Sequence, residues 1–93
     1  AHVYDIGVQM HICGGPISTA ATLQIEAAIP NFVIHEHHQG AIIPENIATC
    51  KYDYQPVNGY FEVPELPGIG QELTEEAIAA AEKITVSGKP RFD

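Results

Sequence analysis

The stretch FVIHEHHQG, residues 32–40, places three histidines around one glutamate directly after an apolar run. Imidazole and carboxylate groups are common protein ligands of zinc and iron, so a metal site is the first hypothesis. The apolar run predicts a short buried strand, on which successive side chains point to opposite faces. Glu36 and His38 then share one face, and His35 and His37 share the other. We therefore predict that all four cannot hold one ion, and that Glu36 is a functional carboxylate whose partner lies elsewhere in the chain.

The elements that must position Glu36 alternate along the chain. VQMHI, residues 8–12, is a strand candidate, and a CGG turn follows it. Pro16 opens a predicted helix, Pro30 closes it, and the strand FVIHE comes next. A strand, a helix and a strand in this order predict a parallel pair within an α/β fold. The predicted helix has apolar residues recurring at helical spacing, among them Ala20, Leu23 and Ala27.

The flanking segments predict a helix end, a long loop and a final helix. Residues 1–5 look like the last turn of a helix whose beginning is missing, with Gly7 at the left-handed closing position. Residues 39–72 hold four prolines and the turn signals NG and PG, which predict a functional or covering loop with short extended pieces such as GYFEV. Thr74 can cap a helix over residues 75–84, and Glu75 and Glu76 suit the positive end of its dipole.

Composition narrows the class of protein. The chain has 93 residues, is 45% hydrophobic and carries a net charge of -8, which favours one small globular domain and argues against a nucleic-acid partner. No apolar run approaches the roughly 20 residues that span a membrane, and no secretory leader is evident at the start. Two cysteines are too few for a disulfide framework, so we expect a reduced, cytoplasmic setting.

The partner that we predict for Glu36 is His11. In barrels of alternating strands and helices, catalytic residues lie at the carboxyl ends of strands. His11 lies near the end of the first strand and Glu36 at the end of the second, so the two should meet on neighbouring strands. Two parallel strands alone leave both sheet edges unpaired. We therefore expect a larger sheet, formed with further chains or with the rest of a longer protein.

At these residues the chain resembles a known family. MHICGGPISTAATLQIEAAIPNFVIHEHH resembles the segment that carries the last two barrel strands in the mandelate racemase branch of the enolase superfamily, most closely the galactonate dehydratase-like sugar-acid enzymes. NGYFEVPELPGIGQELTEEAI resembles the return from the barrel to the capping domain. The resemblance implies the C-terminal part of a (β/α)7β TIM-type barrel, an α/β fold. Residues 1–58 would supply the last strands and helix of the barrel, and residues 59–93 a segment packing on the barrel and on an α+β capping domain.

The resemblance also implies roles for individual residues. His11 would be the catalytic acid/base, Glu36 the carboxylic group that helps to bind the substrate carboxylate or its enediolate, and His38 a candidate substrate contact. The cofactor would be Mg²⁺, held by ligands outside this chain. The implied partners are the remaining N-terminal part of the enzyme, a small sugar-acid substrate and further copies in a homo-oligomer. The chain alone should be inactive, and the completed enzyme would be a lyase that gives a 2-keto-3-deoxy acid.

Other interpretations stay open from the sequence. A sugar-acid racemase, epimerase or cycloisomerase would use the same strand ends. A non-catalytic, His-rich metal-binding module is a further alternative, although a cupin-like pattern is disfavoured because Glu45 comes eight residues after His37. Taken singly, His11 could be a structural strand histidine, and His35 and His37 are expected to face surrounding helices or solvent. Cys13 is interpreted as a small apolar filler, since no neighbouring base is evident from the sequence.

Overall fold

The computed structural model describes residues 1–88 as one strand–helix–strand unit followed by a long segment of turns. A 3₁₀ turn precedes the unit, and a second 3₁₀ turn and two short helices follow it. The elements are the turn His2–Tyr4, strand β1 (Val8–Met10), helix α1 (Pro16–Ala28), strand β2 (Phe32–His35), the turn Gln39–Ala41, helix α2 (Pro44–Ile47) and helix α3 (Glu75–Ala80).

Strands β1 and β2 form the parallel pair that the sequence predicts. Val8 pairs with Phe32, an irregularity follows, and Met10 then pairs with His35. Both strands end slightly earlier than predicted, at Met10 and at His35. His11 and Glu36 therefore lie just beyond the two strand ends, on neighbouring strands that run in the same direction.

Helix α1 begins and ends at the predicted prolines. Pro16 occupies its first turn, and Ile29 leaves the helix with extended backbone angles because it precedes Pro30. Of the apolar residues at helical spacing, Ala20 and Leu23 are buried, whereas Ala27 is exposed. A polar residue replaces it on the buried face: the side chain of Glu26, which is 5% exposed.

The prediction for Gly7 is wrong. The left-handed residue that ends the first turn is Asp5, with φ 58° and ψ 32°, a conformation that Asp tolerates better than most residues. Gly7 instead lies where the chain before β1 approaches strand β2 closely. A Cβ atom at Gly7 would lie 2.4 Å from the Val33 Cγ2 atom.

The segment after β2 contains the predicted turns and one helix that was not predicted. Asn58 and Gly59 both have positive φ, 51° and 80°, as expected when an NG turn connects extended pieces. Val57 and Tyr60 pair across that turn, and Gly68 of the PG signal also has positive φ. Helix α2 is a single turn that begins at Pro44, within the stretch predicted as loop.

Polar contacts hold residues 50–72 together. The Lys51 ammonium donates to the Glu72 carboxylate, and this hydrogen bond and the carboxylate charge raise the pKa of Lys51 above its usual value. The Tyr54 hydroxyl donates to the carbonyl of Gly70. Burial, and then the neighbouring Tyr52 phenol, raise the pKa of Tyr54 above its usual value. These contacts connect the segment after α2 to the chain just before α3.

Helix α3 confirms the predicted cap, but it is shorter than predicted. The Thr74 hydroxyl accepts a hydrogen bond from the Ala77 amide, and Glu75 and Glu76 lie in the first turn. The helix ends at Ala80 instead of reaching residue 84. None of its residues is buried, and short helices without tertiary packing gain little stability from propensity alone.

The described residues do not form a compact domain by themselves. Their radius of gyration is 16.3 Å, whereas a compact domain of this length has one of about 12 Å. Apolar side chains of β2, such as Val33 and Ile34, are more than half exposed at 64% and 56%. Among the described residues, no helix has the length and apolar character needed to cross a bilayer. The division into residues 1–58 and 59–93 stays a prediction, and residues 89–93 lie outside the described residues.

Candidate active site

The two strand ends bring together Gln9, His11, Cys13 and Glu36, which we call the strand-end site. The Nδ1 atom of His11 lies 2.9 Å from the Oε1 atom of Glu36. The predicted meeting of these two residues on neighbouring strands is therefore confirmed, while their catalytic roles stay predictions. The His11 side chain is 76% exposed and that of Glu36 is 30% exposed. In this chain, both side chains are open to a molecule that approaches the strand ends.

Each carboxylate oxygen of Glu36 has one polar neighbour. Its Oε1 atom faces His11, and its Oε2 atom lies 3.2 Å from the Gln9 amide nitrogen, which can only donate. A carboxylate close to the Nδ1 atom of a histidine can hold the orientation of the ring.

Cys13 is the second neighbour of His11, and its interpretation as an apolar filler is wrong. Cys13 is exposed, and its Sγ atom lies 3.0 Å from the Nε2 atom of His11. The imidazole ring therefore lies between a thiol and a carboxylate. The residue between the two is Ile12, which is 2% exposed and anchors this part of the chain in the core.

His38 lies outside these contacts. Its Nδ1 atom accepts a hydrogen bond from the Gly40 amide at the start of the second 3₁₀ turn, and its side chain is exposed. Among residues 1–88, no hydrogen bond or ion pair joins His38 to Glu36, with which it was predicted to share a face. Its role as a substrate contact therefore stays a prediction.

The other two histidines of the HEHH stretch lie against α1 and the segment after α2, as expected for the opposite face of β2. Their neighbours there include Glu26 and Phe61. The Nδ1 atom of His35 lies 2.7 Å from the Oε2 atom of Glu26, and both side chains are buried, at 8% and 5% exposure. His37 bonds to Gln55, and both imidazole rings pack on Phe61 at centroid distances of 4.5 and 5.3 Å. These contacts fix the strand end next to Glu36.

The four polar residues of the HEHH stretch thus do not converge on one point. Among residues 1–88, the set of three potential metal-ligand side chains found close together is His11, Cys13 and Glu36, whose ligand atoms lie within 4.8 Å of one another. The thiol and the carboxylate approach different nitrogens of the same ring. A tetrahedral site needs its ligands to point at a common centre, so this arrangement is a row of three groups with the imidazole ring in the middle.

Sequence reasoning found two members of the strand-end site and missed the other two. Gln9 and Cys13 flank His11 at a spacing of two residues on either side. In an extended chain this spacing directs all three side chains to one face. Side chains alternate in direction along a strand, and this alternation placed the histidines next to Glu36 on the opposite face. The same alternation around His11 predicts that Gln9 and Cys13 lie on the face of His11.

The geometry of the two strands and the helix is that of an α/β fold. A parallel strand–helix–strand unit builds both open α/β sheets and β/α barrels, and polar residues at the carboxyl ends of the strands are typical of the active sites of β/α-barrel enzymes. The profile of the family described as enolase C-terminal domain-like matches residues 1–77. The chain therefore belongs to the enolase C-terminal domain-like family, and its strands and helix are part of that family's TIM-type barrel.

Similar proteins agree with this assignment. The chain is 37% identical to a D-xylonate dehydratase of Haloferax volcanii, with 100% of this chain and 22% of that protein aligned. It is 34% identical to a D-galactonate dehydratase of Cronobacter sakazakii, over 86% of this chain and 22% of that protein. A crystal structure of an enolase superfamily member from Salmonella Typhimurium matches with a TM-score of 0.85 and 64% identity, covering 92% of this chain and 22% of that one. The chain thus spans about a fifth of the length of the curated relatives that it matches.

Proposed function

We propose that the complete protein containing this chain is a sugar-acid dehydratase. It would remove the proton next to the carboxylate of a sugar acid and eliminate the 3-hydroxyl, giving a 2-keto-3-deoxy acid. The similarity to proteins named D-xylonate and D-galactonate dehydratase supports aldonic acids as the substrate class. One observation carries the proposal: the 2.9 Å contact between His11 and Glu36 at two adjacent strand ends of this family's barrel.

In this mechanism His11 is the acid that assists departure of the 3-hydroxyl. Hydroxide is a poor leaving group, so elimination needs a proton delivered to that oxygen. The Nδ1 atom of His11 faces the Glu36 carboxylate, so this proton would come from Nε2, which lies beside the Cys13 thiol in this structure. The base that removes the proton next to the carboxylate is proposed to lie outside this chain. Proton transfer by a positioned side chain contributes about 100-fold to 10,000-fold in rate.

Glu36 has two proposed roles, which depend on its protonation state. As a carboxylate it orients His11 and stabilises the imidazolium form through the Nδ1 contact. Binding the substrate carboxylate or its enediolate, the role implied by the family resemblance, would require the protonated form, because two carboxylates repel each other. A Glu36→Gln variant keeps an acceptor for His11 and gains a donor for substrate, so its loss of turnover should be smaller than that of His11→Asn.

Magnesium dependence is part of the proposal, but the clustered ligand groups of residues 1–88 do not fit the ion. Magnesium prefers oxygen ligands in octahedral geometry, whereas the three clustered ligand groups among the described residues are an imidazole, a thiol and one carboxylate. We therefore propose that the magnesium ligands lie in the rest of the protein. No proton transfer assigned to His11 depends on their position.

The partners of this chain follow from the same proposal. The rest of the enzyme would supply the remaining barrel strands and the capping domain, and the complete enzyme would form a homo-oligomer in the cytoplasm. The isolated chain should lack activity, because the base and the magnesium ligands are proposed to lie in the rest of the protein. Nucleic acid and membrane partners are not part of the proposal.

The test uses the complete protein with a panel of aldonic acids that includes D-galactonate and D-xylonate. We expect 2-keto-3-deoxy acid from at least one of them, measured with a keto-acid assay and by mass loss of one water. His11→Asn should lower kcat by about 100-fold or more with little change in KM. His38→Asn should change KM more than kcat if His38 contacts substrate.

His2→Asn is the matched control, because His2 is an exposed histidine in the first 3₁₀ turn, outside the strand-end site. This control should keep wild-type kinetics. Inversion at carbon 2 without loss of water would overturn the dehydratase proposal in favour of a racemase or epimerase. Near-normal turnover of His11→Asn on the best substrate would show that His11 is a structural histidine.

A further inference from the structure

The strand-end site contains a chain of three groups that the dehydratase mechanism does not use as a whole. The Sγ atom of Cys13 lies 3.0 Å from His11 Nε2, and His11 Nδ1 lies 2.9 Å from Glu36 Oε1. If Glu36 accepts the Nδ1 proton, the neutral ring has its lone pair on Nε2, where it faces the thiol. A nucleophile beside a base that a third group orients is the general arrangement of an activated nucleophile.

The position of the thiol is fixed by its neighbours in the chain. Ile12 is fully buried and holds the residues on either side of it. After Cys13 the chain turns at two glycines, and Gly40 packs directly on this turn. A Cβ atom at Gly40 would lie 3.1 Å from the Gly14 carbonyl oxygen and 3.5 Å from that of Cys13. The contact between thiol and imidazole is therefore supported by packed backbone on both sides.

We propose that Cys13 is a nucleophilic thiol that reacts with soft carbon electrophiles, with His11 as its base and Glu36 as the group that orients His11. In the alkylation step, the Sγ–H proton moves to His11 Nε2. The S–C bond forms while the bond between carbon and the leaving group breaks. The leaving group departs as an anion, and the imidazolium later releases its proton to water. Glu36 stabilises that imidazolium through the Nδ1 contact.

The inference rests on the three side chains and does not depend on the proposed dehydration. The second cysteine of the chain provides the contrast, since Cys50 is buried and its Sγ atom lies 3.6 Å from the Thr49 hydroxyl. Cys50 therefore lacks both the exposure and the imidazole partner of Cys13. A reagent whose reaction rate depends on access to the thiol and on removal of its proton should modify Cys13 faster than Cys50.

The experiment is alkylation of the complete protein by iodoacetamide at neutral pH, followed over time by peptide mass mapping. We expect the Cys13 peptide to be modified at least about tenfold faster than the Cys50 peptide in the wild type. His11→Asn should slow modification of Cys13 by about tenfold or more, which is less than the roughly 100-fold to 10,000-fold typical of proton transfer, because thiols are intrinsically good nucleophiles. His2→Asn should leave the rate unchanged.

Glu36→Gln is a second variant that keeps the test decisive if His11→Asn disturbs the fold. It should slow modification of Cys13 less than His11→Asn does, because its amide oxygen can still orient the ring but no longer carries the charge. Equal rates for Cys13 and Cys50 in the wild type would overturn the inference. Unchanged Cys13 rates in both folded variants would also overturn it. Because the readout is peptide mass, these outcomes are separate from any failure to dehydrate sugar acids.

Discussion

Removing the carboxylate of Glu26 should loosen the strand that carries Glu36. Glu26 and His35 form a 2.7 Å contact between α1 and β2, and neither side chain is more than 8% exposed. Two of their polar atoms, Glu26 Oε1 and His35 Nε2, have no hydrogen-bond partner among residues 1–88. In Glu26→Ala, the Nδ1 atom of His35 would lose its partner as well. A buried imidazole without a partner would then remain between helix and strand.

The size of the effect follows from this burial. Removing one partner of a buried ion pair costs about 3–5 kcal/mol, and leaving a neutral buried group unpaired costs about 1–3 kcal/mol. We therefore expect local opening of β2 to become easier by about 3 kcal/mol, the value at which the two ranges meet. This corresponds to roughly 100-fold faster amide exchange where exchange reports local opening. Turnover should also fall, because Glu36 directly follows His35.

The assay is hydrogen exchange by mass spectrometry on the complete protein, using peptides that cover α1 and β2. Glu26→Gln is the matched control, because its amide keeps the side-chain size and can accept the His35 hydrogen bond. Its exchange should stay within about tenfold of wild type. Wild-type rates of amide hydrogen exchange in Glu26→Ala would contradict this prediction. It would also be refuted if both variants exchanged equally fast, because the hydrogen bond would then not be the stabilising interaction.

Three further predictions concern other parts of the chain. Gly70→Ala should lower the melting temperature of the complete protein more than Gly68→Ala, and equal losses would contradict this. Both glycines have positive φ, but only at Gly70 would a Cβ atom lie close to Pro64, at 2.8 Å. Thr74→Ala removes the cap on the Ala77 amide and should cost about 0.5–2 kcal/mol, measured as faster hydrogen exchange in α3; unchanged exchange would count against it. The isolated chain should be poorly ordered because its strand edges are unpaired and its apolar side chains exposed; a cooperative thermal transition with sharp near-ultraviolet circular dichroism from a pure monomer would contradict this.

The sequence predicted those features that depend on local chemistry and on the direction of strands. Prolines and NG turns restrict the backbone directly, so the bounds of α1 and the turn at Asn58 were found. His11 and Glu36 were paired because parallel strands end at the same edge of a sheet, and that rule needs only the order of the elements. Their meeting at 2.9 Å confirms this reasoning.

The features that were missed depend on tertiary contacts. Glu26 lies on the buried face of α1 because His35 of β2 is there to receive it, and nothing within the helix indicates this partner. Cys13 appeared to be an apolar filler because its base is two residues away and becomes its neighbour only when the chain stays extended past β1. The early end of α3 has the same origin, because the helical pattern continued where no packing surface supports it.

The most direct test of the proposed role of His11 is whether His11 acts after removal of the proton next to the carboxylate. If the base lies outside this chain, His11→Asn should still exchange that proton with deuterium from solvent while failing to release water. The measurement is mass or NMR detection of deuterium at carbon 2 of the recovered sugar acid, with the complete protein in heavy water and the best substrate of the panel. We expect His11→Asn to incorporate deuterium at carbon 2 without forming 2-keto-3-deoxy acid. Two results in a folded His11→Asn variant would contradict the assignment of His11 as the acid for the departing hydroxyl. One is formation of the keto acid at a near wild-type rate, and the other is loss of both deuterium exchange and elimination.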